Sequence, residues 1–209
     1  PEMEPDLLAG IDPLWEADGL RRLEHNWRPE RVQITLSTKP HVSPVFLAAR
    51  VKGRLQHALR QHGTPADFSR KVSVRSIGDR RTGHIVEYVR GQVDKEPIVD
   101  ERFREMLRQC SVSNPSLDFA EPSASLSGRY WYNLHLVLVT QDRDRIVDER
   151  RLALVRDQSL GIAAKKGHAI GELSIVPDHL HIALRGDIDQ SPQDIALAYL
   201  NNLAYALGQ

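Results

Sequence analysis

Between residues 174 and 186 the chain reads SIVPDHLHIALRG. Leu180, Ile182 and Leu184 alternate with His179, His181, Ala183 and Arg185, the period-two pattern of a strand with one apolar face. Two histidines on a wet outer face would need no function. HAIGELSIV (168–176) predicts the preceding strand, joined through Pro177-Asp178, and YWYNLHLVLVT (130–140) predicts a third. DERRLALVRDQSLGIAAKKG between them predicts a helix closed by Gly167. Towards the front, Val32, Ile34 and Leu36 alternate in a further strand. Ser43-Pro44 then starts a helix in which Leu47, Val51, Leu55, Ala58 and Leu59 recur at helical spacing. FSRKVSVRSIG predicts a strand and RRTGHIVEYVRGQV a short helix. Residues 94–128 hold a helix around PIVDERFREMLRQC and a Ser/Pro-rich linker or wrapping loop. These elements predict an α+β fold, with helices on one face of an antiparallel sheet.

Sliding the chain by 148 positions lays residues 30–61 on 178–209 without a gap. Nine of the 32 pairs are identical, including Ile34/Ile182, Leu36/Leu184, Ser43/Ser191, Pro44/Pro192 and Leu55/Leu203. Composition alone gives roughly two. The pattern implies a duplicated strand–loop–helix unit. Residues 1–93 read as a first copy, 94–129 as a connector and 130–209 as a second copy, a pseudo-dimer in one chain.

Charge adds a partner. The formal net charge is zero, yet residues 31–92 carry twelve Lys/Arg against three Asp/Glu. A block of +9 inside a neutral chain points to a polyanion, because phosphate contacts release counterions and steer association. A solvated basic face matched by an acidic one elsewhere is the plainer explanation of the same residues. Arg50, Lys52, Arg54, Arg60, Lys71 and Arg75 are the candidate phosphate contacts. The single cysteine, Cys110, excludes a disulfide framework and a cysteine-rich zinc site. With no apolar run of the roughly 18 residues that span a bilayer and no secretory signal, the setting reads as cytoplasmic and nucleoid-associated, with no membrane partner. A start at Pro1 and a stop at Gln209 within a helical pattern read as a trimmed fragment, so that a second tyrosine helix downstream stays open.

VPDHLHIAL, preceded by a strand like YNLHLVLVTQDR, resembles the single-tyrosine HUH transposases of small insertion sequences and their REP-associated relatives. EYVRGQV resembles the second signature of that family, a helix bearing a tyrosine nucleophile with a glutamine one turn later, here Tyr88 and Gln92. The resemblance covers residues 30–93 and 130–209. It implies a ferredoxin-like sheet and single-stranded or hairpin DNA as substrate. It also implies a composite site, with histidines from one copy and tyrosine from the other. The first copy has Arg31 and Gln33 where the second has His179 and His181, and the second ends before any tyrosine helix. One complete site is therefore expected, in a monomeric pseudo-dimer or a homodimer.

Two imidazoles two residues apart on a strand can reach one ion, and residues four apart on a helix share a face. His179, His181 and the Gln92 carbonyl would hold Mg²⁺ or Mn²⁺, weakly without a DNA phosphate because the set contains no carboxylate. Tyr88 would be the covalent nucleophile. By the resemblance, a 5′ phosphotyrosine would form and a 3′ hydroxyl would be freed. Tyr130, Trp131 or Tyr132 would stack on bases or, as strand-start aromatics more often do, sit in the core. Tyr199 and Tyr205 read as packing or surface residues, and His57, His84 and His135 as structural or surface. The alternative function is a domesticated, catalytically inactive binder of single-stranded or hairpin DNA. A two-histidine phosphoesterase fits poorly, since VQITL lacks the histidine and LHIAL the hydroxyl.

Overall fold

The computed structural model describes residues 5–28, 30–78, 82–126 and 128–208. Helix α1 (Pro5–Ala17) leads into the hairpin β1 (Leu20–Arg28) and β2 (Arg31–Thr38), then α2 (Pro44–Gln61). Strand β3 (Val72–Arg75) precedes α3 (Thr82–Arg90), α4 (Gln92–Lys95) and α5 (Glu101–Cys110). Short strands β4 (Val112–Ser113), β5 (Ser123–Ala124) and β6 (Gly128–Trp131) follow. The chain then forms β7 (Asn133–Val139), α6 (Glu149–Lys166), β8 (Ala169–Val176), β9 (His179–Arg185) and α7 (Pro192–Leu207).

The main sheet is antiparallel throughout, in the order β4-β8-β9-β7. On one face Leu173, Ile182 and Leu184 pack against Leu107 of α5, Leu152 and Val155 of α6, and Ile195 and Tyr199 of α7. Both long helices have clear ends. Asp148 caps α6 by accepting from Arg151 N, and Gly167 closes it at φ 74°, a left-handed value glycine takes without strain. Ser191 and Asp194 form a reciprocal capping box at the start of α7. The histidine face is not wet. Helix α3 lies over it, and His181 and Ala183 are buried. The α+β fold thus has helices on one face as expected, with α3 added on the other.

A second, smaller core joins α1, α2 and the β1–β2 hairpin around Trp15, Leu20, Leu55 and Leu59. The sequence reading had no element before residue 30, so α1 and β1 are additions. The strand expected over 130–140 is also two strands, β6 and β7, broken at Tyr132, whose hydroxyl donates to the Gln190 carbonyl at 3.1 Å. β3 lies parallel to β6, which ties the front of the chain to the back.

The 148-residue spacing extends into these added elements. β1–β2 and β8–β9 share one register: Arg22↔Leu36 matches Ile170↔Leu184, and Arg28↔Arg31 matches Val176↔His179. Both hairpins carry an irregularity at the same step, Arg22/Glu24 in one and Ile170/Glu172 in the other. Gly19 and Gly167, again 148 apart, both take positive φ just before the hairpins. The loops leading to α2 and α7 bond each other reciprocally. Val45 N donates to Ile188 O at 3.2 Å, and Gln193 N donates to Pro40 O at 3.0 Å. These four residues are two pairs at that same spacing, so the two bonds are related by an approximate two-fold axis.

The sheet's packed face carries the stability of the back half. Ile182→Ala is expected to cost about 2–5 kcal/mol in chemical denaturation. Leu23→Ala, at the exposed irregularity of β1, is expected to cost less than about 0.5 kcal/mol.

Candidate functional site

The turn Pro177-Asp178 delivers His179 beside a carboxylate. His179 Nδ1 lies 2.6 Å from Asp178 Oδ1, and Arg143 donates to the other carboxylate oxygen at 3.1 Å. Burial raises the Asp178 pKa, but the bonds from His179 and Arg143 outweigh it and hold the carboxyl below its ordinary range. An ionised carboxylate only accepts, so His179 Nδ1 is the donor and its Nε2 keeps a lone pair when the ring is neutral.

His181 is almost fully enclosed. Burial, foremost, and the charges of His179, His135 and Lys95 push its pKa down to about 4, so the ring is neutral at physiological pH. Its Nδ1 sits 3.0 Å from Nε2 of His135, on the neighbouring strand β7, and the two rings stack at 18°. His135, read from the sequence as structural or surface, thus contacts one of the paired histidines directly. His57 and His84 are exposed, as expected.

Tyr88 arrives from the other half of the chain. Its ring meets His181 edge-on at a centroid distance of 5.5 Å and His135 at 5.9 Å. Lys95 Nζ lies 4.3 Å from the centre of the same ring, a cation–π contact that brings a positive charge to the site. Gln92 is buried at the start of α4, and its side-chain nitrogen donates to the Tyr88 carbonyl at 2.7 Å. That bond spans the break between α3 and α4 and leaves the amide oxygen as the end available to a further partner. Tyr88 therefore links Gln92, through its carbonyl, to His181, through its ring, and the His179 ring lies 4.9 Å from that of His181.

What seats α3 is a small apolar contact and one ion pair. Val89 is fully buried, in a cluster with Phe119 and Ala183. Next to it, Arg90 donates to Glu172 Oε1, which also accepts from Ser113 Oγ at 2.9 Å. Glu172 sits at the irregularity of β8, where a strand turns a side chain away from simple alternation.

The donor set fits a divalent cation only in part. Two neutral imidazoles and one amide oxygen suit a borderline or hard ion that keeps water or phosphate oxygens as its remaining ligands. Among the described residues no group of three His, Cys, Asp or Glu side chains could hold a metal ion unaided.

The six candidate phosphate contacts divide between two surfaces. Lys52, Lys71 and Arg75 line a groove of about 700 Å³ beside β2, together with Arg31 and Trp131. Arg75 lies over the Trp131 ring at 4.5 Å, and Lys52 donates to the Ser69 carbonyl at 2.8 Å. Arg54 and Arg50 instead face α1. Arg54 binds Asp18 at 2.6 Å, and Arg50 approaches Asp18 at 3.9 Å. Arg60 is exposed near the end of α2. Tyr130, Tyr132 and Tyr199 are buried and Tyr205 is exposed, so of the three aromatics expected to stack Trp131 alone lies on the groove, where Phe68 also contributes a ring.

Residues 129–206 match the family model described as "Transposase IS200 like". This segment is therefore similar to IS200-like transposases. It holds His135, His179 and His181, and Tyr88 lies outside it. Comparison with curated proteins and with solved structures gave no match.

The Arg90–Glu172 pair is testable by itself. Arg90→Met leaves a buried carboxylate with only Ser113, at an expected cost of about 1–3 kcal/mol. Hydrogen exchange should quicken in the amides of α3 and stay unchanged in α6 and α7.

Proposed function

We propose that this chain nicks and rejoins single-stranded or hairpin DNA through a covalent phosphotyrosine, at one site assembled from its two halves. The observation that carries the reading is the meeting of Tyr88 with His181 inside one polypeptide. It is supported by the IS200-like domain around the histidines, a transposase relationship that by itself points to DNA.

In this reading His179 and His181, through Nε2, and Gln92, through its amide oxygen, hold Mg²⁺ or Mn²⁺. When bound, the cation supplies Lewis-acid polarisation of the scissile phosphate. Tyr88 Oη forms a bond to phosphorus while the bond from phosphorus to the 3′ oxygen breaks, and the phenolic proton is replaced on the leaving oxygen from solvent. The freed 3′ hydroxyl and the 5′ phosphotyrosine keep the step reversible, so strands can be rejoined. Lys95 adds positive charge where the phosphate must enter. Lys52, Lys71 and Arg75, with Arg31, offer a basic track, and Trp131 offers an apolar face for an unpaired base.

The chain reads as two copies of one unit in which a single site is kept. The shared register, the matching irregularities and the reciprocal loop bonds favour that origin. On the first hairpin, Arg31 and Gln33 stand where His179 and His181 stand on the second, so this position lacks the imidazole pair.

A 3′-labelled single-stranded hairpin with Mn²⁺ should give a covalent protein–DNA species on a denaturing gel. Tyr88→Phe should lower its yield more than about 10³-fold while DNA binding stays within about two-fold. His181→Ala should also remove the adduct. Tight binding with no adduct from the unaltered protein would instead favour a binder that does not cut.

A further inference from the structure

His179 and His181 reach their ligating state by different routes, and only one of the two has a carboxylate to set it. A neutral imidazole carries one proton on two nitrogens, so whichever nitrogen donates a hydrogen bond leaves the other as the lone pair. Asp178 settles this for His179. His181 has no such neighbour. The buried carboxylate on its face, Glu172, is taken up by Arg90 and Ser113. Ser174, opposite His181 in the β8–β9 pairing, has a buried hydroxyl oxygen with no hydrogen-bond partner among the described residues and so does not hold the ring either. The remaining contact is His135 Nε2, 3.0 Å from His181 Nδ1.

The sheet is arranged to make that contact. His135 pairs across the strands with Ala183, and His181 pairs with Val137, so the two histidines are diagonal neighbours on one face. Ala183 presents only a methyl group opposite His135, which leaves room for that ring to lean towards His181 at a centroid distance of 5.2 Å.

Building on the reading of His179 and His181 as cation ligands, we propose that His135 is a positioning residue. It accepts the Nδ1–H of His181 on its own Nε2, and thereby turns the His181 Nε2 lone pair into the ligand. His135 is thus the counterpart of Asp178. With its Nε2 committed to His181, it is not itself a ligand at that atom. Outer partners of this kind typically change metal affinity about 10–100-fold when removed.

The tautomers can be read without metal. Long-range ¹H–¹⁵N correlation spectra of the metal-free protein should show His179 and His181 both protonated on Nδ1 and bare on Nε2. His135→Phe keeps a ring in place and removes the acceptor. His181 should then lose its Nδ1–H preference while His179 keeps it. Mn²⁺ uptake in the presence of an uncleaved oligonucleotide, followed by the spin resonance of free Mn²⁺, should weaken about 10–100-fold. His135→Gln, whose amide oxygen can accept the same proton, should restore both readouts and shows whether a loss comes from misfolding. An Nε2–H tautomer at His181 in the unaltered protein overturns the proposal. So does a His135→Phe protein with unchanged tautomer and affinity. If the unaltered protein shows the Nδ1–H tautomer but takes up no Mn²⁺ with oligonucleotide present, the reading of the pair as ligands is what fails.

Discussion

A helix of nine residues does not hold itself folded in water, because nucleation is costly and so short a segment gains few bonds to offset it. α3 therefore depends on what it rests against. Val89 fills a pocket made by Phe119 and Ala183, and Arg90 grips Glu172 beside it. Together these turn a marginal segment into the roof of the histidine face. The proposed site follows from that seat, since Tyr88 and, through α4, Gln92 and Lys95 are placed by it. The irregularity in β8 is part of the arrangement. Its twin in β1 presents Glu24 to solvent, whereas Glu172 is turned under α3.

The two hairpin units share geometry but not surroundings. β9 is paired on both edges, by β8 and β7, whereas β2 pairs with β1 alone among the described residues. The inner strand can hold imidazoles in a dry, fixed setting, and burial keeps His181 neutral there. Arg31, at the position equivalent to His179, instead lines an open basic groove. One architecture thus offers a place suited to chemistry and a place suited to a polyanion. The loops between units are bonded to each other on the pseudo-two-fold axis, so the halves are held in register by backbone as well as by α3.

Much of this was legible in the chain. The alternation around Ile182 fixed the histidines on one face, and Tyr88 and Gln92 stood out by their spacing with the family signature. Ser43 and Ser191 were readable as caps because capping is local, and the structure has both serines accepting from the helix that follows. The failures are all matters of long-range contact. LRRLEHNWR has no apolar alternation, and it becomes a strand because β2 pairs with it. α1 contains Gly10 and Pro13, both poor helix formers, and its evidence is tertiary, with Trp15 fully buried. His135 has nothing unusual next to it in sequence, and its meaning depends on the β7–β9 register. The stretch after α5 read as a linker or wrapping loop without saying what it wraps, and Phe119 packs against Gly171 where any side chain would collide with it. Nothing in the sequence showed that Asp18, from the unread front of the chain, pairs with Arg54 and lies near Arg50.

The central claim is that tyrosine and imidazoles from the same polypeptide make one site. Mixing two damaged proteins tests it most directly: Tyr88→Phe retains the histidines, and His181→Ala retains the tyrosine. With the site built inside each chain, the mixture should form no covalent DNA adduct under conditions where the unaltered protein does. Recovery of adduct in the mixture would mean that α3 serves a neighbouring molecule and would contradict the account.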